Sequence, residues 1–442
     1  MPKVKPRIMS GFMELLPQEQ LLFNRMFNTI RETYELFGFT PISTPAIELA
    51  EVLLAKGGGE TEQQIYRVST KGDKEMVLHY DLTVPLARYV AEHENDLTFP
   101  FRRYQMQPVW RAERAQRGRF REFYQCDIDI IGSTEPIADA EVPSVIYEVF
   151  KRLNIGSFTI RINNRKVLNG LFESLGLTEH SVTVLRIVDK IEKLGEDTIR
   201  EELSQLGIDR TVADQILSFV AITGSNAEII ETLSGLKFDS PVFEEGVKEL
   251  ATVCRLIGSL GVPEKNLRID LAIARGLDYY TGTVYETVLD DYPGIGSVCS
   301  GGRFDNLADY YTDTSLPGVG VSIGLTRLFY QLREAGVIKA TSAAPTKVLI
   351  IKTSDELTEA ALALATTLRE ANIPTEVYFA GQRLGKQFKY ANQLGIPLVA
   401  VLGENEANAK TVTIKSLDTG TEEEIPQADI ATWVTNKLHS SI

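Results

Sequence analysis

Seven arginines fall within twenty residues: Arg102, Arg103, Arg111, Arg114, Arg117, Arg119 and Arg121. Glu113 is the only acid among them, and there is no lysine. A planar guanidinium can hold phosphate or carboxylate through two bonds at once, so this composition suits an anionic ligand. A run of charge more often simply faces water. The flanking residues favour the ligand. Side chains alternate faces along a strand. From Phe120 to Ile131 the even positions are mostly apolar (Phe120, Tyr124, Cys126, Ile128, Ile130, with Glu122 the exception). The odd positions include Arg121, Gln125, Asp127 and Asp129. Arg111 and Glu113 share one face of the partner strand. Cations for phosphates thus stand beside carboxylates for an amine, the pattern of a site for a mixed-charge ligand.

Other chemistries find little support. Cys126, Cys254 and Cys299 are far apart, odd in number and form no CxxC pair, which argues against a disulfide framework and fits a reducing cytosol. His79, His93, His180 and His439 lack metal-ligand spacing, so no structural metal is expected. No Ser-His or Cys-His arrangement offers a nucleophile. Gly381-Gln-Arg-Leu-Gly-Lys-Gln387 falls one residue short of a P-loop and has Gln387 where a magnesium-binding hydroxyl belongs. The glycines of Gly318–Gly324 and Gly294–Gly301 do not have dinucleotide-fingerprint spacing. ATP, if used, must be held by arginines. The N-terminus lacks the apolar segment of a signal peptide, and no apolar run approaches the roughly 20 residues that span a bilayer.

These residues need elements to position them. Gln18 to Phe37 carries apolar residues at helical spacing, with Pro17 before it and Gly38 after it. Met76 to Thr83 reads as a strand and Val84 to Glu94 as a helix that Thr83 could cap. Met106–Glu113 and Phe120–Gly132 read as an antiparallel hairpin with a long polar tip. From about 166 to 262 strand signals vanish and acidic helical patterns take over, which reads as a helical insertion. Strands return at Leu267–Ala274 and Thr283–Leu289, then come a glycine-rich stretch and a helix near 325–335. A small-residue linker is expected at 336–346. From 347 to 442, strand and helix alternate (Lys347–Lys352, Asp355–Ala371, Thr375–Phe379, Arg383–Leu394, Pro397–Leu402), which predicts a small parallel α/β domain.

The 442 residues are too many for one ordinary domain. The formal net charge of −14 argues, taken alone, against a protein coated in basic surface for nucleic acid. The charge is unevenly placed, however. Residues 166–262 carry a net −7 and residues 346–442 a net −3, while the hairpin concentrates +6.

At this point the chain resembles a known family. Val109-Trp-Arg-Ala-Glu113, the polar loop and Phe120-Arg-Glu-Phe123 look like motif 2 of class II aminoacyl-tRNA synthetases. Phe39 to Glu48, with Pro45, resembles motif 1, the dimer-interface element. Gly318-Val-Gly-Val-Ser-Ile-Gly-Leu-Thr-Arg327 resembles motif 3. Ala274-Arg-Gly-Leu-Asp-Tyr-Tyr-Thr281 and Ser300-Gly-Gly-Arg-Phe-Asp-Asn306 are similar to two signatures specific to histidyl-tRNA synthetases. Asp81-Leu-Thr83 and Gln125-Cys-Asp-Ile-Asp129 resemble the form typical of eukaryotes and archaea, with aspartates where many bacterial forms carry glutamates. The C-terminal unit looks like the family's anticodon-binding domain.

The resemblance implies an α+β fold. A class II antiparallel-sheet catalytic domain at 1–335, with its helical insertion, would be followed by a small α/β anticodon-binding domain. It implies a cytoplasmic homodimer that joins histidine to its tRNA, using ATP with magnesium carried on the nucleotide. Arg111 would hold the α-phosphate and substrate carboxylate, Glu113 the adenine amino group, Phe123 the adenine ring, and Arg119 and Arg327 the outer phosphates. Arg275 would stabilise the transition state at the α-phosphate; its bland alternative is a salt bridge with Asp278.

Asp81, Thr83 and Gln125 would hold the histidine ammonium, and Asp129 and Tyr280 would face the imidazole. Tyr279 is the neighbouring candidate, expected to point the opposite way. Leaving either imidazole nitrogen buried and unpaired costs about 1–3 kcal/mol, so complementary partners give selectivity. Asp81 could instead simply cap the following helix, and Phe304 stands where many members have tyrosine. For tRNA, the motif 2 loop (Gln116, Arg117) would meet the acceptor end. Arg383, Lys386 and Lys389, beside Phe388 and Tyr390, could bind RNA by charge and stacking or be a solvated face. The rival readings are a non-charging paralogue, acting as an ATP phosphoribosyltransferase regulatory subunit, and a sensor of uncharged tRNA. The intact arginines and the C-terminal domain argue against both.

Overall fold

The computed structural model describes residues 3–55, 64–69, 71–72, 74–114, 118–273, 279–340 and 342–439, the side chains of residues 192 and 193 aside. It divides into two compact units, Met1–Met13 with Met26–Ile338, and Glu14–Arg25 with Lys339–Ile442.

The first unit is built on an eight-stranded sheet. From one edge its strands are Thr40–Pro41, Phe101–Trp110, Glu122–Ile131, Gly318–Gly324, Ser297–Phe304, Thr283–Leu289, Phe158–Asn164 and Leu267–Ile269. Neighbours are antiparallel except for the outermost pair at each edge. The expected hairpin is present, in a register that sets Trp110 opposite Glu122 and Arg103 opposite Asp129. Its apolar face is core, where Cys126, Ile128 and Ile130 are buried. Pairing extends a single polar row across the sheet: Gln105, Asp127, Ser322, Ser300, Glu286 and Arg161 lie opposite one another in turn. Directly opposed residues share a face, so this row builds one polar floor from six strands.

Two sequence expectations are corrected and one gap is filled. The glycine-rich stretches near Gly301 and Gly320, to which the sequence assigned no element, are central strands that meet too closely there for side chains. A Cβ on Gly301 would stand 2.1 Å from the Gly320 carbonyl oxygen, and one on Gly320 would stand 2.0 Å from Asp129 Oδ1. The strand expected over 76–83 is only Met76–Leu78, in a small sheet with Ile47–Leu49 and Arg67–Val68. Thr83 is the first residue of the helix Thr83–Glu92 rather than its cap. The Asp81 carboxylate accepts the Val84 N–H instead, at 3.1 Å.

Between Arg165 and Ser259 the chain is helical: Arg165–Ser174, Ser181–Val188, Ile191–Gln205, Arg210–Val220, Asn226–Gly235 and Pro241–Ser259. Local signals start two of these helices. Ser225 and Glu228 form a reciprocal capping box, and Ser240 caps a helix that opens on Pro241. The buried rings of Phe219 and Phe243 meet the half-buried Phe238, which lies 4.7 Å from Phe243 edge to face.

The second unit holds a five-stranded sheet ordered Thr375–Val377, Val348–Lys352, Leu398–Leu402, Thr411–Ser416, Glu422–Pro426. The sheet is mixed rather than parallel throughout, since the last two strands pair antiparallel. Val348, Leu349, Ile350 and Ile351 are buried on both faces, as a parallel strand covered by helices requires. The added strands are polar on one face, and a tight turn through Gly420 joins them.

Candidate active site

The polar face of the hairpin floors two adjoining cavities. The larger, about 330 Å³, is lined by Glu113, Arg119, Phe123 and Arg327 among others. The smaller, about 230 Å³, is lined by Asp81, Thr83, Asp127, Asp129, Tyr279, Tyr280 and Phe304 among others. Arg111, Gln125, Ser300 and Ser322 line both. The structure therefore gathers every described residue that the motif 2, motif 3 and histidine-signature readings singled out.

Arg111 stands at the junction. Its Nε donates to the Tyr80 carbonyl at 3.0 Å, and its guanidinium carbon lies 5.1 Å from the centre of the Phe123 ring. Glu113 and Arg119 face each other at 3.6 Å across the larger cavity's rim. Arg327 donates through Nη2 to the Ile295 carbonyl at 3.0 Å. The larger cavity therefore offers three guanidiniums, one carboxylate and the aromatic rings of Phe120 and Phe123, which suits a nucleoside triphosphate.

The smaller cavity is acidic. Asp81, Asp127 and Asp129 are all buried. Burial pushes their carboxyls up, to about 6, about 6 and about 8, against the opposing pull of the Arg103 guanidinium and, for the first two, of Arg111. Asp81 spends Oδ1 on the helix N-terminus, while its buried Oδ2 has no hydrogen-bond partner. Capping and ligand binding are thus compatible roles for one side chain. Gln125 donates to Ser322 Oγ at 2.7 Å and leaves Oε1 buried without a partner. Orphaned buried acceptors of this kind call for a donor-rich ligand such as an ammonium group.

Tyr279 and Tyr280 do not point opposite ways as the sequence suggested. Both line the smaller cavity, with rings edge to face at 5.0 Å. The segment is not a regular strand there, so the two-residue alternation does not apply. Burial raises both hydroxyls' pKa, keeping them protonated donors. Phe304 packs edge to face on Tyr279 at 5.9 Å.

Ser300 and Ser322 were not given site roles from sequence, and Asp127 and Arg103 were noted only as members of the polar strand face and the arginine cluster. The alternation in strand 122–131 marks Asp127. The roles of the other three become visible only once the strand register is known. Arg275, Gln116 and Arg117 lie outside the described residues.

In the second unit, Arg383, Lys386 and Lys389 are exposed along the start of the helix Leu384–Leu394. Phe388 and Tyr390 are not free for stacking as first read. Both pack against the buried cluster around Leu349 and Ile351, and Tyr390 donates to Glu376 at 2.6 Å. The open ring is Phe379, 89% exposed. Among the described residues no helix is long and apolar enough to cross a membrane, and no group of three or more His, Cys, Asp or Glu side chains could hold a metal ion.

Comparison with known proteins agrees with this geometry. Residues 11–328 match the family described as histidyl-tRNA synthetase, and residues 347–437 match an anticodon binding domain. The chain is 56% identical to a histidine–tRNA ligase of Clostridium tetani, over 95% of this chain and 96% of that protein. It is 49% identical to one of Stenotrophomonas maltophilia, over 99% of each. The crystal structure of histidyl-tRNA synthetase from Nostoc sp. PCC 7120 superposes with a TM-score of 0.92 at 43% identity, covering 98% of this chain and 100% of that one. A Bacillus halodurans protein titled as an ATP phosphoribosyltransferase regulatory subunit/histidyl-tRNA synthetase shares the fold, with a TM-score of 0.75 at 22% identity. The antiparallel sheet with its helices and the separate C-terminal unit make up the class II synthetase fold. The chain belongs to the histidyl-tRNA synthetase family.

Proposed function

We propose that the two joined cavities perform the family's reaction, that of a histidine–tRNA ligase, with histidine in the smaller and ATP in the larger. The histidine carboxylate attacks the α-phosphorus, pyrophosphate leaves, and histidyl-adenylate forms. The terminal ribose hydroxyl of the tRNA then attacks the histidyl carbonyl carbon, and AMP leaves. Chemistry of this sort needs positioning and charge neutralisation more than a protein nucleophile. The observation that carries the assignment is the shared wall. Arg111 and Gln125 border both cavities, so a carboxylate from one side and an α-phosphate from the other meet at one guanidinium.

In this reading Arg111 neutralises both reacting groups and Glu113 accepts the adenine amino group. Phe123 stacks on the base, and Arg119 and Arg327 take the outer phosphates. Asp81, Thr83 and Gln125 hold the ammonium group, while Asp129, Tyr280 and Tyr279 surround the imidazole. Arg275 completes the charge at the α-phosphate, on the strength of the signature alone. Magnesium arrives as the counter-ion of ATP. The tRNA meets Gln116 and Arg117 at its acceptor end and Arg383, Lys386 and Lys389 elsewhere. The domains divide as catalytic 1–335 with its insertion at 166–262, a linker at 336–346, and anticodon-binding 347–442. The working form is a cytoplasmic homodimer joined through residues 39–48. The aspartates of the smaller cavity ally its wall with the eukaryotic and archaeal form, although the relatives compared above are bacterial.

Incorporation of labelled histidine into tRNA with ATP and magnesium tests the reading. Activation without transfer, or neither, would refute it. Arg275→Ala is expected to cut adenylate formation by orders of magnitude while histidine binding changes little.

A further inference from the structure

The bulkiest fully buried side chain among the described residues is a charged one, Arg103, at 0% exposure. Burying a guanidinium costs several kcal/mol unless it is paired, and nothing in the packing of an ordinary core calls for one here. Arg103 lines neither cavity. It stands beside the smaller, opposite Asp129 on the same face of the hairpin, with Nη2 2.6 Å from Asp129 Oδ2. Its remaining contacts are long: Nη2 to the Leu82 carbonyl at 3.3 Å and Nη1 to Gln105 Oε1 at 3.4 Å. The two oxygens of Asp129 are thereby divided. Oδ2 forms a close ion pair with Arg103 while making no hydrogen bond, and Oδ1 lies over Gly320 in the cavity wall, in the space a Cβ on that residue would need.

We propose that Arg103 is a positioning residue that sets imidazole selectivity from beside the pocket. It pins Asp129 through Oδ2 and holds it toward the ionised form, leaving Oδ1 to accept an imidazole N–H. The inference rests on the assignment of the smaller cavity to histidine. A carboxylate is an acceptor only, whereas a neutral carboxyl group both donates and accepts. Without Arg103 the site would tolerate more than one hydrogen-bonding pattern and discriminate less.

The groups that face Asp129 are Arg103 from the neighbouring strand, Asp127 on its own strand, Asp81 ahead of the helix Thr83–Glu92, and Tyr280. The strand on its other side presents Gly320. Burial lifts Asp129, Arg103 opposes that lift, and Asp127 and Asp81 add to it. Binding of histidine therefore draws a proton off Asp129, and loss of Arg103 makes that proton harder to remove.

The test is histidine-dependent ATP–pyrophosphate exchange between about pH 6 and pH 8.5, on wild type, Arg103→Met, Arg103→Lys and Asp129→Asn. Arg103→Met is expected to raise the KM for histidine about tenfold at neutral pH, a one-unit upward shift of the carboxyl. The penalty should shrink as pH rises, and the KM for ATP should stay within about twofold, well under the roughly tenfold that one lost interaction produces. Arg103→Lys, which restores the charge, should recover much of the loss. Should the methionine variant not fold, Arg103→Gln is read the same way. A histidine KM and pH profile matching wild type would overturn the proposal for Arg103. If Asp129→Asn also leaves the histidine KM unchanged, the assignment of the cavity to histidine fails instead.

Discussion

Arg111 lays its guanidinium against the ring of Phe123, 5.1 Å from carbon to centroid, and both side chains line the larger cavity. The ring is thus held by a flat cation before any base arrives, and the pair forms a prepared stacking platform. Stacking of a base on an aromatic side chain is worth about 1–3 kcal/mol. Phe123→Ala should therefore raise the KM for ATP at least about fivefold, by that same stacking range, and leave the KM for histidine near its wild-type value. Steady-state pyrophosphate exchange with each substrate varied in turn measures both. Equal effects on the two substrates would deny Phe123 its place in the nucleotide half.

The aspartates of the smaller cavity make a prediction for pH. Their carboxyls sit at about 6, about 6 and about 8 against an ordinary 3.8, chiefly through burial. The folded, ligand-free chain thus keeps protons that the unfolded chain has released. The stability these groups contribute is complete below 3.8 and drains as pH rises through about 6 and then about 8. Tm of the ligand-free protein should fall across that window, and the rise in Tm on adding histidine should grow. Asp129→Asn should flatten the upper part of the slope relative to wild type. Thermal unfolding at a series of pH values checks it, and parallel slopes would count against these carboxyls.

Arg303 anchors the floor from the far side. Its Nε lies 3.0 Å from each oxygen of Asp139, and its Nη1 donates to the Ser133 carbonyl at 3.0 Å and to Asp305 at 3.3 Å. Asp305 in turn accepts from the Thr281 hydroxyl at 2.5 Å, next to Tyr280. Arg303→Met strands a buried carboxylate and should cost about 3–5 kcal/mol of unfolding free energy. Asp305→Ala should cost only about 1 kcal/mol but loosen the Tyr280 segment, raising the histidine KM without moving the ATP KM. Denaturant unfolding and exchange kinetics together distinguish the two.

The exposed row Arg383, Lys386 and Lys389 predicts a salt effect. Each phosphate contact contributes about −0.7 to the slope of log affinity against log salt for a single strand. Changing all three to glutamine should reduce that slope by about 2 and raise the tRNA KM. Pyrophosphate exchange, which needs no tRNA, is the control. An unchanged salt slope would return the row to the solvated face it otherwise resembles.

Much of the site is legible in the chain. The alternation of Gln125, Asp127 and Asp129 with Cys126, Ile128 and Ile130 follows from strand geometry alone, and the hairpin obeys it. Where backbone geometry departs from a regular strand, as at Tyr279 and Tyr280, alternation misleads. The central strands around Gly301 and Gly320 were hidden because glycine lowers strand propensity. Their glycines answer to neighbours distant in sequence.

By itself the sequence determined the family, the two-faced hairpin and the residue types able to meet a phosphate, an amine and an imidazole, because local periodicity and motif spacing encode them. The tertiary structure alone decided that Arg111 borders two cavities at once, that Asp81 has one oxygen to spare, and that Arg103 stands against Asp129. Those facts depend on strand register and on burial, and both are set by contacts between residues far apart in the chain.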